Sequence, residues 1–179
     1  MAAAQEGRMD ESLGVSDKVV KDVGKHLLEG LHLRGAFEVL HLRGGNVIDR
    51  REVKNLVVSA GKALAAGLLN SALATPAKYI AIGTGTTAAA AGDTALQTEI
   101  TTGGGARALA TTLDRVTTTV TNDTARAILT FSFTSSFAVT EAGLLDATSG
   151  GNLLCRQVFS AVNVVNGDSL QITWKIQVS

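Results

Sequence analysis

The chain has 179 residues, a length typical of one domain with an appended segment. Its 16 basic and 16 acidic side chains cancel, so no excess positive charge favours nucleic acid as a partner. Only 4% of the residues are aromatic, so Ala, Val, Leu and Thr must build the core, and such thin cores often gain burial from neighbouring subunits.

The first 33 residues are predicted to form an N-terminal arm that contains a short amphipathic helix. Residues 1–15 show little periodicity, which is typical of an extended arm. Ser16 is suited to begin the helix and Gly30 to end it. The apolar residues that share one face of this helix are the candidate partner-binding residues: Val19, Val20, Val23, Leu27, Leu28 and Leu31. This face packs either on its own domain or on another subunit.

Residues 34–179 are predicted to form a β-rich domain that begins with a hairpin and a helix. Residues 35–54 alternate between apolar and polar around Gly44-Gly45-Asn46, which predicts the hairpin. Asn55 is suited to cap a helix over residues 55–74. Its apolar residues recur at helical spacing: Val57, Ala60, Leu64, Leu68 and Ala72.

Strand signals dominate residues 78–179. Residues 93–100 are an exception, where we expect a short helical turn, and Asn166-Gly167-Asp168 is predicted to join the last two strands. The final run alternates, with one face formed by Leu170, Ile172, Trp174, Ile176 and Val178. The predicted class is mainly β with α (α+β), an antiparallel β-sandwich or barrel-like domain with one packed helix after the N-terminal arm.

The motifs that could carry chemistry are better explained as structural features. Gly83-Thr84-Gly85 lacks the Gly-Lys-Ser/Thr ending of a phosphate-binding loop and is predicted to form a tight turn. Thr140-Glu141-Ala142-Gly143 is predicted to form a second turn. We therefore interpret Gly83, Gly85, Glu141 and Gly143 as turn residues. Glu141 could form a carboxylate pair with Asp146, although such residues more often cap backbone amides or pair with a base such as Arg156.

The reactive residue types are few and scattered. His26, His32 and His41 lack metal-ligand spacing, and Cys155 follows two leucines, which favours a small buried thiol. No Gly-x-Ser-x-Gly nucleophile elbow is present. The apolar stretch at residues 56–74 is interrupted by polar side chains and predicts no membrane span. We expect no catalytic residue, no metal and no cofactor, and so no enzyme.

The order and spacing of several motifs resemble virion structural proteins of tailed bacteriophages. The motifs are Tyr79-Ile80-Ala81-Ile82-Gly83-Thr84-Gly85-Thr86, Gly92-Asp93-Thr94-Ala95-Leu96, Thr140-Glu141-Ala142-Gly143-Leu144, the segment from Asn55 to Gly61, and the segment from Asn166 to Trp174. The resemblance covers residues 35–179. It implies a non-enzymatic component of the virion that is made in the host cytoplasm.

Similar motifs occur in capsid decoration (cement) proteins and in N-terminal domains of tail-fibre or tail-collar proteins. The last predicted strand reaches the end of the sequence with no fibre shaft after it, and the charged arm is suited to contact a neighbour. Both features favour decoration. The resemblance then implies a homotrimer that stabilises the capsid surface, with the major capsid protein as its partner. The alternatives are a tail-fibre, collar or baseplate adaptor, and a small binding module or enzyme of unknown substrate.

Overall fold

A computed structural model describes residues 31–73 and 75–179 of the chain. Of the predicted arm, residues 1–33, only residues 31–33 lie within this range, and almost all of the predicted amphipathic helix lies outside it. The described residues form one helix, α1, and nine strands, and every strand pair is antiparallel. The mainly β fold with a single helix, predicted from the sequence, is confirmed.

The predicted hairpin is present and longer than expected. Strand β1 (Leu33–Arg43) pairs with β2 (Asn46–Val57) around Gly44 and Gly45. Both glycines have positive φ angles, 57° and 81°, a backbone conformation that side chains with a Cβ rarely adopt.

Helix α1 spans Ser59–Leu69, so the predicted start at Asn55 is wrong. Asn55 instead lies in β2 opposite Gly35, and β2 continues to Val57 because its last two residues pair with β8. The helix also ends before the predicted residue 74, because Ser71 adopts a left-handed φ of 60°. Within α1 only Gly61 and Leu64 are buried.

The remaining strands complete one curled, half-barrel sheet. They are β3 (Tyr79–Gly83), β4 (Ala108–Leu109), β5 (Thr112–Val116), β6 (Thr124–Ser132), β7 (Phe137–Leu145), β8 (Leu153–Val164) and β9 (Asp168–Val178). Their order across the sheet is β4-β3-β7-β8-β2-β1-β9-β6-β5.

The two ends of the sheet, β4 and β5, are consecutive in the chain and joined by two residues. The Ala110 N–H donates to the Lys78 carbonyl at 2.9 Å, beside β3, and the Thr111 N–H donates to the Ile128 carbonyl at 2.8 Å, in β6. This short link therefore contacts both ends of the sheet and draws them towards each other.

Strands β2 and β8 pair over only two residues before their ladder ends. Beyond that point the Arg51 guanidinium donates to the carbonyls of Ser160 and Ala161. The same guanidinium also donates to the Asp49 carboxylate. A side chain thus replaces part of the missing ladder, because the exposed carbonyls of a strand edge need donors.

The main core lies inside the curl of the sheet. Trp174 and Phe37 are fully buried, with ring centroids 4.5 Å apart. The predicted alternation of β9 is confirmed for Leu170, Ile172, Trp174 and Ile176, whereas Val178 is exposed at the end of the strand. A smaller cluster, on the other side of the sheet, is formed by Val58, Ala81, Leu96, Leu145 and Leu153.

Gly61 lets the first turn of α1 approach β8 closely. A Cβ on Gly61 would lie 2.0 Å from the Leu154 carbonyl oxygen, which is backbone and cannot rotate away. Although alanine normally favours a helix by about 1 kcal/mol over glycine, we expect Gly61→Ala to destabilise the domain by roughly 1–3 kcal/mol. Urea denaturation measures the change.

The matched control for this substitution is Gly92→Ala, which meets nothing within 4 Å and should leave stability almost unchanged. A stabilised Gly61→Ala variant would show that α1 does not pack this closely on β8.

Candidate functional site

The two halves of the sequence signature meet at Glu141, which is fully buried in β7. Its Oε1 accepts hydrogen bonds from the Gly85 N–H at 3.1 Å and the Thr98 N–H at 2.7 Å. Its Oε2 accepts from the Gln97 N–H at 3.0 Å and from Arg156 Nε at 2.8 Å. One carboxylate therefore fixes both ends of the loop at residues 84–98.

Arg156, in β8, extends this cluster to the middle of the loop. Its guanidinium donates to Asp93 Oδ2 at 2.8 Å and to the Thr87 carbonyl at 3.1 Å. Burial opposes its charge, but hydrogen bonds from Arg156 to Asp93 and Glu141 raise its pKa overall. Burial likewise opposes the charge of Asp93, yet the Ala90 N–H and Arg156 lower the pKa of that carboxyl group. Both side chains are therefore held in their charged forms.

Two further side chains satisfy the backbone of the same loop. The Gln97 Oε1 accepts hydrogen bonds from the N–H groups of Thr86 and Thr87, each at 3.0 Å. The Thr140 hydroxyl donates to the Gly85 carbonyl at 2.8 Å. We call residues 84–98, held by Glu141, Arg156, Gln97 and Thr140, the pinned loop.

The glycines of the signature are required by close approach to Glu141. A Cβ on Gly83 would lie 2.4 Å from the Thr98 carbonyl oxygen, and one on Gly85 would lie 2.4 Å from Glu141 Oε1. The Gly85 N–H, which a phosphate-binding loop would offer to a ligand, is already bonded to this carboxylate. Gly85 therefore lies in a loop anchored from within the protein, whereas Gly83 is the last residue of β3.

The predicted turn at residues 140–143 is wrong. Glu141 and Gly143 lie inside β7, in which every residue from Val139 to Leu145 is buried. The main core covers one face of β7 and the pinned loop covers the other. Polar residues such as Glu141 can therefore lie in this central strand, because they face the loop. Gly143 leaves room for Leu96, whose Cδ1 would be 2.5 Å from a Cβ at this position.

The predicted helical turn at residues 93–100 is also wrong. The N–H groups of Gln97 and Thr98 donate to the Glu141 carboxylate, and the Ile100 N–H donates to the Ile82 carbonyl at 2.9 Å. Donors that are used in this way cannot close helical turns.

Asp146 caps its own loop and forms no pair with Glu141. Its Oδ1 accepts a hydrogen bond from the Asn152 N–H at 2.6 Å, and its Oδ2 accepts one from the Asn152 side chain at 2.7 Å. Of the roles expected for Glu141, backbone capping and pairing with Arg156 are therefore the ones that the structure contains.

A second ionic cluster surrounds the buried Asp168 at the start of β9 and includes the half-exposed Arg43. The carboxylate accepts hydrogen bonds from Arg43 Nε at 2.7 Å, from His41 Nε2 at 2.9 Å and from the Val165 N–H at 3.0 Å. The bond from Arg43 is the main reason that the pKa of Asp168 lies well below its ordinary value, and it outweighs the opposing effect of burial.

This lowered pKa makes stability depend on acidity with a definite sign. An Asp whose pKa is lowered in the folded state contributes its full stabilisation at pH values above its unfolded-state pKa, about 3.9. That contribution is lost as the pH falls towards and through the folded-state pKa. We therefore expect stability to fall below about pH 4. Asp168→Asn should show a smaller fall in the urea midpoint between neutral and strongly acidic pH. An equal fall in both proteins would contradict the role of Asp168.

His41 and Cys155 are held inside the domain, whereas His32 is exposed at the start of the described residues. His41 is bonded to Asp168, and Cys155 is fully buried, as predicted, so that burial raises the pKa of its thiol far above the usual range. Residues 31–73 and 75–179 contain no group of three or more His, Cys, Asp or Glu side chains that could hold a metal ion. Their only helix is too short to cross a membrane.

The predicted partner-binding face lies almost wholly outside the described residues. This applies to Val19, Val20, Val23, Leu27 and Leu28, and only Leu31 is described, as an exposed residue. The sequence interpretation missed a different apolar surface, which is formed by exposed leucines at the end of α1. The signal for it is the lack of any charged residue from 63 to 77.

A protein-family model described as podophage GP4 fiber I protein gp80 matches residues 57–176. The chain belongs to this family. The matched residues contain α1, the pinned loop with both of its charged anchors, and most of β9. No curated protein and no solved structure matches the chain.

Membership of the gp80 family makes the chain a structural protein of a tailed phage, as the motif resemblance implied. The family is that of a fibre protein, which agrees with the tail-fibre alternative better than with capsid decoration. Strands β1 and most of β2 lie outside the matched residues, although they pair within the same sheet.

Proposed function

We propose that the chain is a non-enzymatic tail-fibre or collar adaptor of a tailed phage. The family match over residues 57–176 carries this proposal. The geometry supports it because the buried charged groups, Glu141, Arg156 and Asp168, are each bonded to side chains and backbone groups of the same domain. These bonds stabilise the domain internally, which suits a structural protein that transmits force and performs no reaction.

The adaptor acts as a homo-oligomer, proposed to be a trimer, in which the N-terminal segment contacts neighbouring subunits. The neutral net charge supports this assembly, since copies of the chain do not repel each other strongly. Several identical subunits that bind together on one particle gain strength through multivalency. A rigid domain assists this, because little conformational freedom remains to be lost on docking.

Quantitative mass spectrometry of purified particles tests the function. An adaptor is expected in a handful of copies per particle, measured against the major capsid protein in the same sample. Hundreds of copies would instead support the competing function of capsid decoration, with the major capsid protein as the partner. Absence from particles would contradict both functions.

A further inference from the structure

The turn between β8 and β9 contains an asparagine that is followed by a glycine, Asn166-Gly167. The sequence has seven asparagines, and each of the other six is followed by a residue with a side chain. Val165, Asn166 and Gly167 are exposed, and nothing lies within 4 Å of a Cβ built on Gly167. Gly167 therefore adds no side chain that would shield its main-chain nitrogen, and the turn is open to water.

Hydrogen bonds hold this turn in place. The Asp168 N–H donates to the Val165 carbonyl at 3.0 Å, and Gly167 has a φ of 89°, as at the third position of a type II turn. The Gly167 N–H donates to the Phe133 carbonyl at 2.9 Å, and the Phe133 N–H donates to the Asp168 carbonyl at 2.9 Å. The Val165 N–H donates to the Asp168 carboxylate. The position of Asp168, and with it the ionic cluster, thus depends on the length of the turn.

We propose that Asn166 is a site of spontaneous modification in the folded domain, where it is converted to aspartate and isoaspartate. The main-chain nitrogen of Gly167 attacks Asn166 Cγ, and the bond from Cγ to the side-chain nitrogen breaks. Ammonia leaves with the proton of the Gly167 N–H. Water then opens the resulting succinimide ring at either of its carbonyl carbons. Opening at the main-chain carbonyl gives isoaspartate, whose main chain runs through Cβ and Cγ, and opening at Cγ gives aspartate.

The hydrogen bond from Gly167 to Phe133 slows this reaction without preventing it. The nitrogen must lose its proton and approach Cγ, so this bond breaks before the ring closes. An exposed turn opens locally at a lower free energy than the core strands, so the reaction proceeds while the rest of the domain stays folded. We therefore expect the reaction to be slower in the folded chain than in the unfolded chain, yet faster than at the other asparagines.

Isoaspartate at position 166 adds one carbon atom to the main chain of the turn. The lengthened turn can no longer keep all of its hydrogen bonds, so Asp168 is displaced. Its buried carboxylate then loses part of its bonding to Arg43 and His41. Because the released ammonia is not recovered, the amide is not restored. The modification is therefore a one-way loss of stability at the connection between β8 and β9.

Peptide mapping by mass spectrometry, after incubation of the full chain in mildly alkaline buffer, tests the proposal. Asn163 is the matched control, because it is exposed on the same segment but is followed by Val164. Conversion at Asn166 is expected to be at least about tenfold faster than at Asn163, which requires a barrier lower by about 1.4 kcal/mol. An isoaspartyl methyltransferase labels the isoaspartate product. The same chain in urea should convert faster still at Asn166.

Asn166→Gln is the control variant, because its longer side chain keeps the amide but disfavours closure of the ring. The urea midpoint of the wild type should fall as isoaspartate accumulates, whereas that of Asn166→Gln should stay constant over the same incubation. An Asn166 that stays intact in the folded chain, or that converts no faster than Asn163, overturns the proposal. Accumulation of isoaspartate without loss of stability overturns the effect on Asp168. The proposal does not depend on the proposed function, which is tested separately.

Discussion

Replacing Glu141 with alanine is expected to destabilise the domain by about 3–5 kcal/mol, the usual effect of removing one partner of a buried ion pair. The substitution leaves the Arg156 charge buried without its nearest carboxylate, and it removes the acceptor of the Gly85, Gln97 and Thr98 N–H groups. Urea denaturation followed by circular dichroism measures the loss.

The matched control is Asp114→Ala, which breaks an ion pair with Arg126 between β5 and β6. Both of these side chains reach solvent, so the control should change stability little, as is usual for surface pairs. Equal, small effects of the two substitutions would show that Glu141 does not brace the pinned loop.

Replacing Trp174 with alanine is expected to cost about 3–5 kcal/mol, because it leaves a large cavity in the main core. Trp174 is fully buried and packs against Phe37. Its indole N–H has no hydrogen-bond partner among the described residues, so its contribution comes from packing. Thermal or urea denaturation gives the change in free energy.

Two companion variants test whether the packing of the Trp174 ring causes the loss. Trp174→Phe keeps an aromatic ring and should lose clearly less stability than Trp174→Ala. Val178→Ala, on the same strand but exposed, should have only a small effect. A Trp174→Ala variant as stable as the wild type would place the side chain outside the core.

The sequence predicts the elements whose pattern is local. The alternation in β9 and the two glycines of the first hairpin determine their structure within a few residues, so both predictions are confirmed. The buried state of Cys155 also follows from its apolar neighbours.

The predictions that failed depend on contacts between distant residues. Asn55 has the chemistry of a helix cap, but the ladder to Gly35 places it in β2. The polar residues around Glu141 predict a turn when they are considered alone. They form a strand because the pinned loop, whose Gln97 and Thr98 lie over 40 residues earlier in the chain, covers one face of β7. For Glu141, the sequence predicts backbone capping and the pairing with Arg156, 15 residues away, but not which backbone groups it caps.

The exposed leucines of α1 were not expected from the sequence, although the helix itself was. Leu68 has the helical spacing of a core residue, yet α1 packs on β8 through Gly61 and Leu64 and leaves the later leucines in solvent. Periodicity indicates which residues share a face, whereas the point at which the helix leaves the sheet follows only from tertiary packing.

Electron microscopy of purified phage particles labelled with a gold-conjugated antibody against this protein tests the proposed function most directly. The fibre-adaptor function predicts gold at the tail or collar of each particle and none over the capsid shell. Gold distributed over the capsid surface, or particles without label although the antibody binds the purified protein, would contradict it.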